Sequence, residues 1–185
     1  ATMRAVLRSY VMQSDSLNRI NENLTAENTR MKGQYAEATR QIEGLSSEKA
    51  SLSEKVAIAA QLDATGINMT PFKKGGKKLK RMKDCKSFRV DFTVAKNVTA
   101  SNGMRTFYVR VTKPNGEAIE DGASFTYENR TLRSTMSKQV EYTGEALSLS
   151  LYYNNANQAY EAGTYVVSIF ADGHMIGSRR ITFEK

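Results

Sequence analysis

From Met3 onward an apolar residue returns every seven positions, at Met3, Tyr10, Leu17, Leu24, Met31, Ala38, Leu45, Leu52 and Ala59. With these as d positions, the a positions are Leu7, Ser14, Asn21, Asn28, Tyr35, Ile42, Lys49 and Val56. A sustained repeat of seven predicts a left-handed coiled coil, whereas a helix lying on its own globular core would carry a wider apolar stripe. Gly33 and Gly44 fall at f and c, outside the seam, and each costs about 1 kcal/mol of helix propensity without opening it. No proline occurs before Pro71, so the helix is expected to run on, closing over residues 57–62 with Gly66 as its C-terminal stop.

The chain holds no second heptad helix, so the seam predicts another molecule as partner. Leu at d with Asn21, Asn28 and Lys49 at a points to two strands in parallel register, because a polar a residue is tolerated when it meets its own copy. Glu27 at g and Lys32 at the following e can pair between the two chains. The expected homodimer interface is Tyr10, Leu17, Asn21, Leu24, Asn28, Met31, Tyr35, Ile42, Leu45, Leu52 and Val56, with Ile20 beside it, and a trimer is the alternative.

After Gly66 the period falls from seven to two. "FRVDFTV" sets Phe88, Val90, Phe92 and Val94 against Arg89, Asp91 and Thr93, and "TFYVRVT" and "LSLSLYY" alternate in the same way. "GTYVVSIFADGHMIGSRRITF" reads as two strands joined at Asp172 and Gly173, with Tyr165, Val167 and Ile169 facing Ile181 and Phe183. Half-buried antiparallel strands produce such alternation. Turn signals at Lys96 and Asn97, Asn102 and Gly103, residues 114–116, Asp121 and Gly122, Thr143 and Gly144, and Ala162 and Gly163 divide residues 67–185 into seven or eight strands. That spacing indicates an immunoglobulin-like β-sandwich, with "YEAGTY" as a tyrosine corner before the penultimate strand. The expected organisation is a coiled-coil helix over residues 1–63, a basic connector with the first strand over 64–87, and the sandwich over 88–185.

The heptad helix, the Lys-rich connector, "FRVDFTVAKN", "TFYVRVTKPNGEAI" and the terminal "AGTYVVSIFADGHMIGSRRITFEK" together resemble an uncharacterised family from Bacteroidetes. Its members combine an exported or membrane-anchored coiled coil with a C-terminal β-sandwich and often carry a default chromosome-segregation label. The resemblance covers residues 60–185 in pattern and the helix only through its heptads. It implies a dimer in the periplasm or cell envelope, and it brings no catalytic motif.

Charge adds one feature. Of a formal net charge of +8, the run "KKGGKKLKRMKDCK" at residues 73–86 supplies eight cations, Lys73, Lys74, Lys77, Lys78, Lys80, Arg81, Lys83 and Lys86, opposed only by Asp84. Such a run can hold an anionic membrane surface or another polyanion, can bind nucleic acid by counterion release, or can be a solvated sandwich edge whose lysines block edge-to-edge pairing. It has no aromatic for stacking on bases. Leu79, Met82 and Cys85 recur every third position, which suggests a helical turn or irregular strand docked on the sandwich. The run is expected at the junction of rod and sandwich.

Candidate chemistry is sparse. The lone Cys85 excludes an internal disulfide, and the lysines around it would lower its thiol pKa. His174, the single histidine, reads as a polar residue of a turn over 172–177 and has no nucleophile in motif context. Glu120 and Asp121 read as a turn, and the composition offers neither a transition-metal set nor a phosphate-binding loop. No enzyme activity and no cofactor are expected. Tyr152, Tyr153, Asn154, Asn155, Asn157 and Tyr160 form a polar-aromatic stretch that could hold a glycan. No apolar run of membrane-spanning length is present, and an anchor upstream of residue 1 is expected. The reading is therefore an envelope scaffold whose sandwich binds a protein or glycan. The alternatives are a cytoplasmic nucleic-acid-binding protein using residues 73–86, and a carbohydrate-binding sandwich.

Overall fold

The computed structural model describes residues 2–155 and 159–184, with only the backbone of Thr2. One helix, α1 (Thr2–Ala59), is followed by ten strands: β1 (Ala64–Phe72), β2 (Ser87–Val94), β3 (Gly103–Thr112), β4 (Ala118–Ile119), β5 (Ser124–Tyr127), β6 (Arg130–Arg133), β7 (Met136–Tyr142), β8 (Leu147–Asn154), β9 (Gly163–Ala171) and β10 (His174–Phe183). The chain divides into two compact units, residues 1–55 and 56–185.

The helix is a single run of 58 residues. Three threonines on it, Thr25, Thr29 and Thr39, donate to the carbonyls of Asn21, Thr25 and Tyr35, a local satisfaction of hydroxyls that leaves the backbone ladder in place. Its last carbonyls are not closed by a glycine. The Asn97 amide donates 2.9 Å bonds to the carbonyls of both Ala59 and Gln61. Gly66, expected as the stop, instead lies inside β1, where the pairing with β2 slips between Thr65 and Asn68 and Gly66 takes φ of 62°. A bulge of the G1 type places its first residue in the left-handed region, which glycine takes at no steric cost. The carbonyl of Ile67 that the slip frees is taken by the Arg179 guanidinium at 2.6 Å.

All strand pairs are antiparallel. One sheet has the order β1-β2-β8, a second has the order β10-β9-β3-β4 with β7 also on β3, and β5 and β6 form a separate hairpin. The result is sandwich-like. The alternation read from the sequence becomes burial: Phe88, Val90, Phe92 and Val94 from β2 and Leu149, Leu151 and Tyr153 from β8 meet Phe107, Val109 and Val111 from β3 and Tyr165, Val167 and Ile169 from β9 in one core. Phe92 and Phe107 pack across it with ring centroids 6.2 Å apart. Where β3 changes partner from β7 to β4, the buried Thr135 hydroxyl accepts from Val111 N–H at 2.9 Å and donates to the Ile119 carbonyl at 2.6 Å, filling the break in the ladder.

Two hydroxyls tie loops to the core. Tyr165 donates to the Glu161 carbonyl at 2.9 Å, the tyrosine corner read from "YEAGTY". Tyr142, fully buried, donates to the Ala95 carbonyl and accepts from Asn97 N–H. The same asparagine that closes the helix is thus held from inside the sandwich.

Several expectations are corrected. Among the described residues there are ten strands rather than seven or eight. The hairpin β5–β6 turns at Glu128 and Asn129, both at positive φ (46° and 60°), a type I′ geometry that glutamate does not advertise. The β9–β10 turn is only Asp172 and Gly173, so His174 begins β10 and Gly177 lies within it. The thiol of Cys85 moves in the opposite direction from the one its lysines suggest. Burial pushes its pKa up, outweighing its hydrogen bonds to Phe72 and Ser87 and the weaker pull of Lys86.

Gly177 lets β10 lie against β1, because a Cβ there would sit 2.6 Å from the Ala64 carbonyl oxygen. Backbone cannot yield as a side chain can, so Gly177→Ala is expected to destabilise the sandwich by about 1–3 kcal/mol, read as a drop of several degrees in thermal melting. Burial also pushes Tyr153 and Tyr165 up to about 12, and Tyr160 further, from the ordinary value of 10.0. These groups and the Cys85 thiol stay protonated when folded and ionise when unfolded. Their contribution is therefore intact below about pH 9 and is lost as pH climbs towards 12. Melting curves taken from neutral to alkaline pH should fall steadily above pH 9, and Cys85 should resist alkylation until the sandwich unfolds.

Candidate interaction surfaces

The eleven heptad positions expected at a dimer interface are all exposed in the single chain. Leu24, Met31, Leu45 and Leu52, for example, retain more than half of their accessible surface. A helix turns through nearly two full turns in seven residues, so these side chains lie along one gradually winding stripe. Met12 and Ile58 are exposed outside that stripe, while Val6, Val11 and Ile20 flank it at g and e. A coiled-coil seam leaves its partner-facing side chains in this state when one strand is taken alone.

The basic run does not join the helix to the sandwich. It is a loop between β1 and β2. The register pairs Ala64 with Val94 at one end of these strands and Phe72 with Ser87 at the other. Residues 59–63, Ala95 and Asn97 lie at the first end, where Ala95 N–H bonds the Asp63 carbonyl at 2.8 Å. The loop lies at the second, about 26 Å away at roughly 3.3 Å per residue. Its backbone is tied down. Leu79 N–H reaches the Pro71 carbonyl at 2.8 Å, Lys86 N–H reaches that of Phe72 at 2.9 Å, and Gly76 N–H closes a turn on Lys73 at 2.9 Å. Gly75 and Gly76 supply the positive φ values which that turn requires. Met82 and Cys85 are buried and Leu79 is half-buried, so the spacing of three marked a docked face. That face is irregular rather than helical, with one isolated bridge from Phe72 to Lys78. All eight cations are exposed.

A third surface was not singled out from the sequence. On the outer face of the β1-β2-β8 sheet, Arg89 donates to Asp91 at 2.8 Å and to the Tyr152 hydroxyl at 3.3 Å. Its guanidinium also lies over the Phe72 and Tyr152 rings, 5.9 and 5.7 Å from their centroids. Ser150 donates to the other oxygen of Asp91. The signal was present in the polar half of "FRVDFTV", but which cross-strand residues meet Arg89 depends on register.

The polar-aromatic stretch does not present a row of rings. Tyr153 is buried and donates to Asp121, and Tyr160 is buried edge-on against Phe88, which leaves Tyr152 as the exposed ring. Asn157 lies outside the described residues. Glu120 is engaged by Arg110, while Asp172 is engaged by Arg105 and so does not face His174 as a free carboxylate. Arg105, Asp172, His174 and Gln61 share the wall of an open cavity of about 230 Å³. A second open cavity, about 400 Å³, lies between Met104, Tyr108, Phe125 and Phe170. Among the described residues no three His, Cys, Asp or Glu side chains gather so as to hold a metal ion, and no helix is long and apolar enough to cross a membrane.

No curated protein matches the chain. Among solved structures, a β-glucosidase from Listeria innocua in complex with glucose is 14% identical over 66% of this chain, with a TM-score of 0.37. Pseudomonas fluorescens alkylpurine DNA glycosylase AlkC, bound to DNA containing an abasic site analog, is 12% identical over 68%, with a TM-score of 0.35. The chain spans 15% and 31% of those two proteins, and likenesses at this level bear on neither fold nor function. Two family models match. A coiled-coil region of unknown function (DUF8429) matches residues 1–50, and a domain of unknown function (DUF8428) matches residues 65–184. With well over half of its length so matched, the chain belongs to the DUF8428 family, here carried behind a DUF8429 coiled-coil region.

Proposed function

We propose that the protein is a non-enzymatic scaffold that pairs in parallel through α1 and uses the sandwich as an interaction domain at the bacterial cell envelope. One observation carries the reading: an uninterrupted stripe at seven-residue spacing, exposed along a helix of 58 residues. Such a helix is about 87 Å long at roughly 1.5 Å per residue. A lone helix gains little from propensity, so the occupant that best accounts for the stripe is a second copy of itself. Asn21 and Asn28 would each meet their own copy in parallel register and would select two strands over other assemblies. The envelope setting draws on the likeness to exported and anchored Bacteroidetes proteins, and the sandwich would there meet a protein or a glycan.

Light scattering at micromolar concentration should report a dimer, and a monomer would end this reading. Replacing Leu24 and Leu45 with Asp removes two seam side chains worth about 2 kcal/mol of burial each and should yield monomers whose sandwich stays folded. An Asn21→Cys chain should cross-link to its own copy under mild oxidation, because residue 21 faces itself only in a parallel, in-register pair. Failure to cross-link while remaining dimeric would point to antiparallel strands.

A further inference from the structure

The loop at residues 73–86 carries eight cations against one carboxylate, a balance of +7 out of the chain's formal +8. Among the described residues, Lys73, Lys74, Lys77, Lys78, Lys80, Arg81 and Lys83 form no ion pair inside the molecule. The five ion pairs among the described residues draw their cations from Arg89, Lys96, Arg105, Arg110 and Lys113, all outside the loop. A lysine-rich edge that served only to prevent strand pairing would set its charges along an unpaired strand. Here the cations stand on a turn beyond the strand ends. The backbone holds them there: hydrogen bonds from Leu79 and Lys86 to Pro71 and Phe72, with Met82 and Cys85 sunk into the core, fix the loop at both ends and in its middle. The charges are therefore displayed on an ordered cap, and ordering costs no further entropy on binding.

We infer that this cap is a docking tip for an anionic lipid surface, at the end of the sandwich opposite the end where the chain enters from the helix. Three features favour lipid head groups over nucleic acid. Seven of the eight cations are lysine, point charges suited to a diffuse layer of phosphates rather than to the bidentate forks that read bases. The loop contains no aromatic side chain to stack on a base. Its apolar residues face the core, so contact stays at the level of the head groups, where each basic residue strengthens attachment roughly fivefold. The tip does not require the helices to pair, so a chain that fails to dimerise tests it equally well.

The full chain should co-sediment with phosphatidylcholine vesicles containing phosphatidylglycerol, not with phosphatidylcholine alone, and should detach as salt is raised. Changing Lys77, Lys78, Lys80 and Arg81 to Gln should weaken attachment several hundredfold, at about fivefold per charge. A charge-matched variant with Arg130, Arg133, Lys138 and Arg180 changed to Gln, all exposed on the same unit, should retain attachment within a fewfold. Equal loss in both variants would reduce the effect to net charge and overturn the site. Absence of binding to the anionic vesicles would overturn it outright. Tighter binding to a double-stranded oligonucleotide than to those vesicles at matched salt would reassign the cap to nucleic acid.

Discussion

The pairing of β1 with β2 is the constraint on which the rest of the molecule turns. Because the two strands are antiparallel and pair from Ala64 with Val94, across one bulge, to Phe72 with Ser87, whatever precedes β1 and whatever follows β2 share one end. The connection between them is sent to the other. Asn97 makes use of the first consequence. Three residues past the end of β2, it closes the carbonyls of the helix terminus with its amide while its N–H is held by the buried Tyr142 hydroxyl. The basic loop follows from the second. A different register by one residue would turn Phe88, Val90, Phe92 and Val94 outward and dissolve both arrangements together.

The two parts of the chain satisfy their side chains in different ways. The sandwich buries its alternating residues against itself, and its loops are stitched by hydroxyls and asparagine amides. The helix keeps its apolar side chains in solvent. Gly33 and Gly44 also lower its intrinsic stability by about 1 kcal/mol each. In the proposed dimer its order would be tied to association, whereas the sandwich would hold its fold at any dilution.

Much of the architecture was legible where one periodicity decides the outcome. "FRVDFTV" gave its buried face directly, the heptads of residues 3–59 gave the long helix, and Asp172 with Gly173 gave a hairpin because that pair favours two positive φ values. The reading failed where burial or register decides. Glu128 and Asn129 make the same kind of turn with a residue seldom chosen for it. Gly66 could cap a helix or relax a bulge, and only the pairing with β2 selects between them. The lysines flanking Cys85 suggested an acidic thiol, yet its position under the loop overrides them. The basic run follows the helix closely in sequence and so reads as its junction with the sandwich, but a strand nine residues long carries it to the far end. Tyr153 and Tyr160 likewise turned inward because β8 and the tyrosine corner fix their sides.

With nearly all of its net charge at one end, the sandwich is a strongly polar body in the electrical sense. In the field of a negatively charged wall such a body would feel a torque before it touched anything, and screening confines that torque to about the last 10 Å at 0.1 M salt. The domain would reach such a wall already rotated, loop first, with Asn97 and the helix terminus facing away.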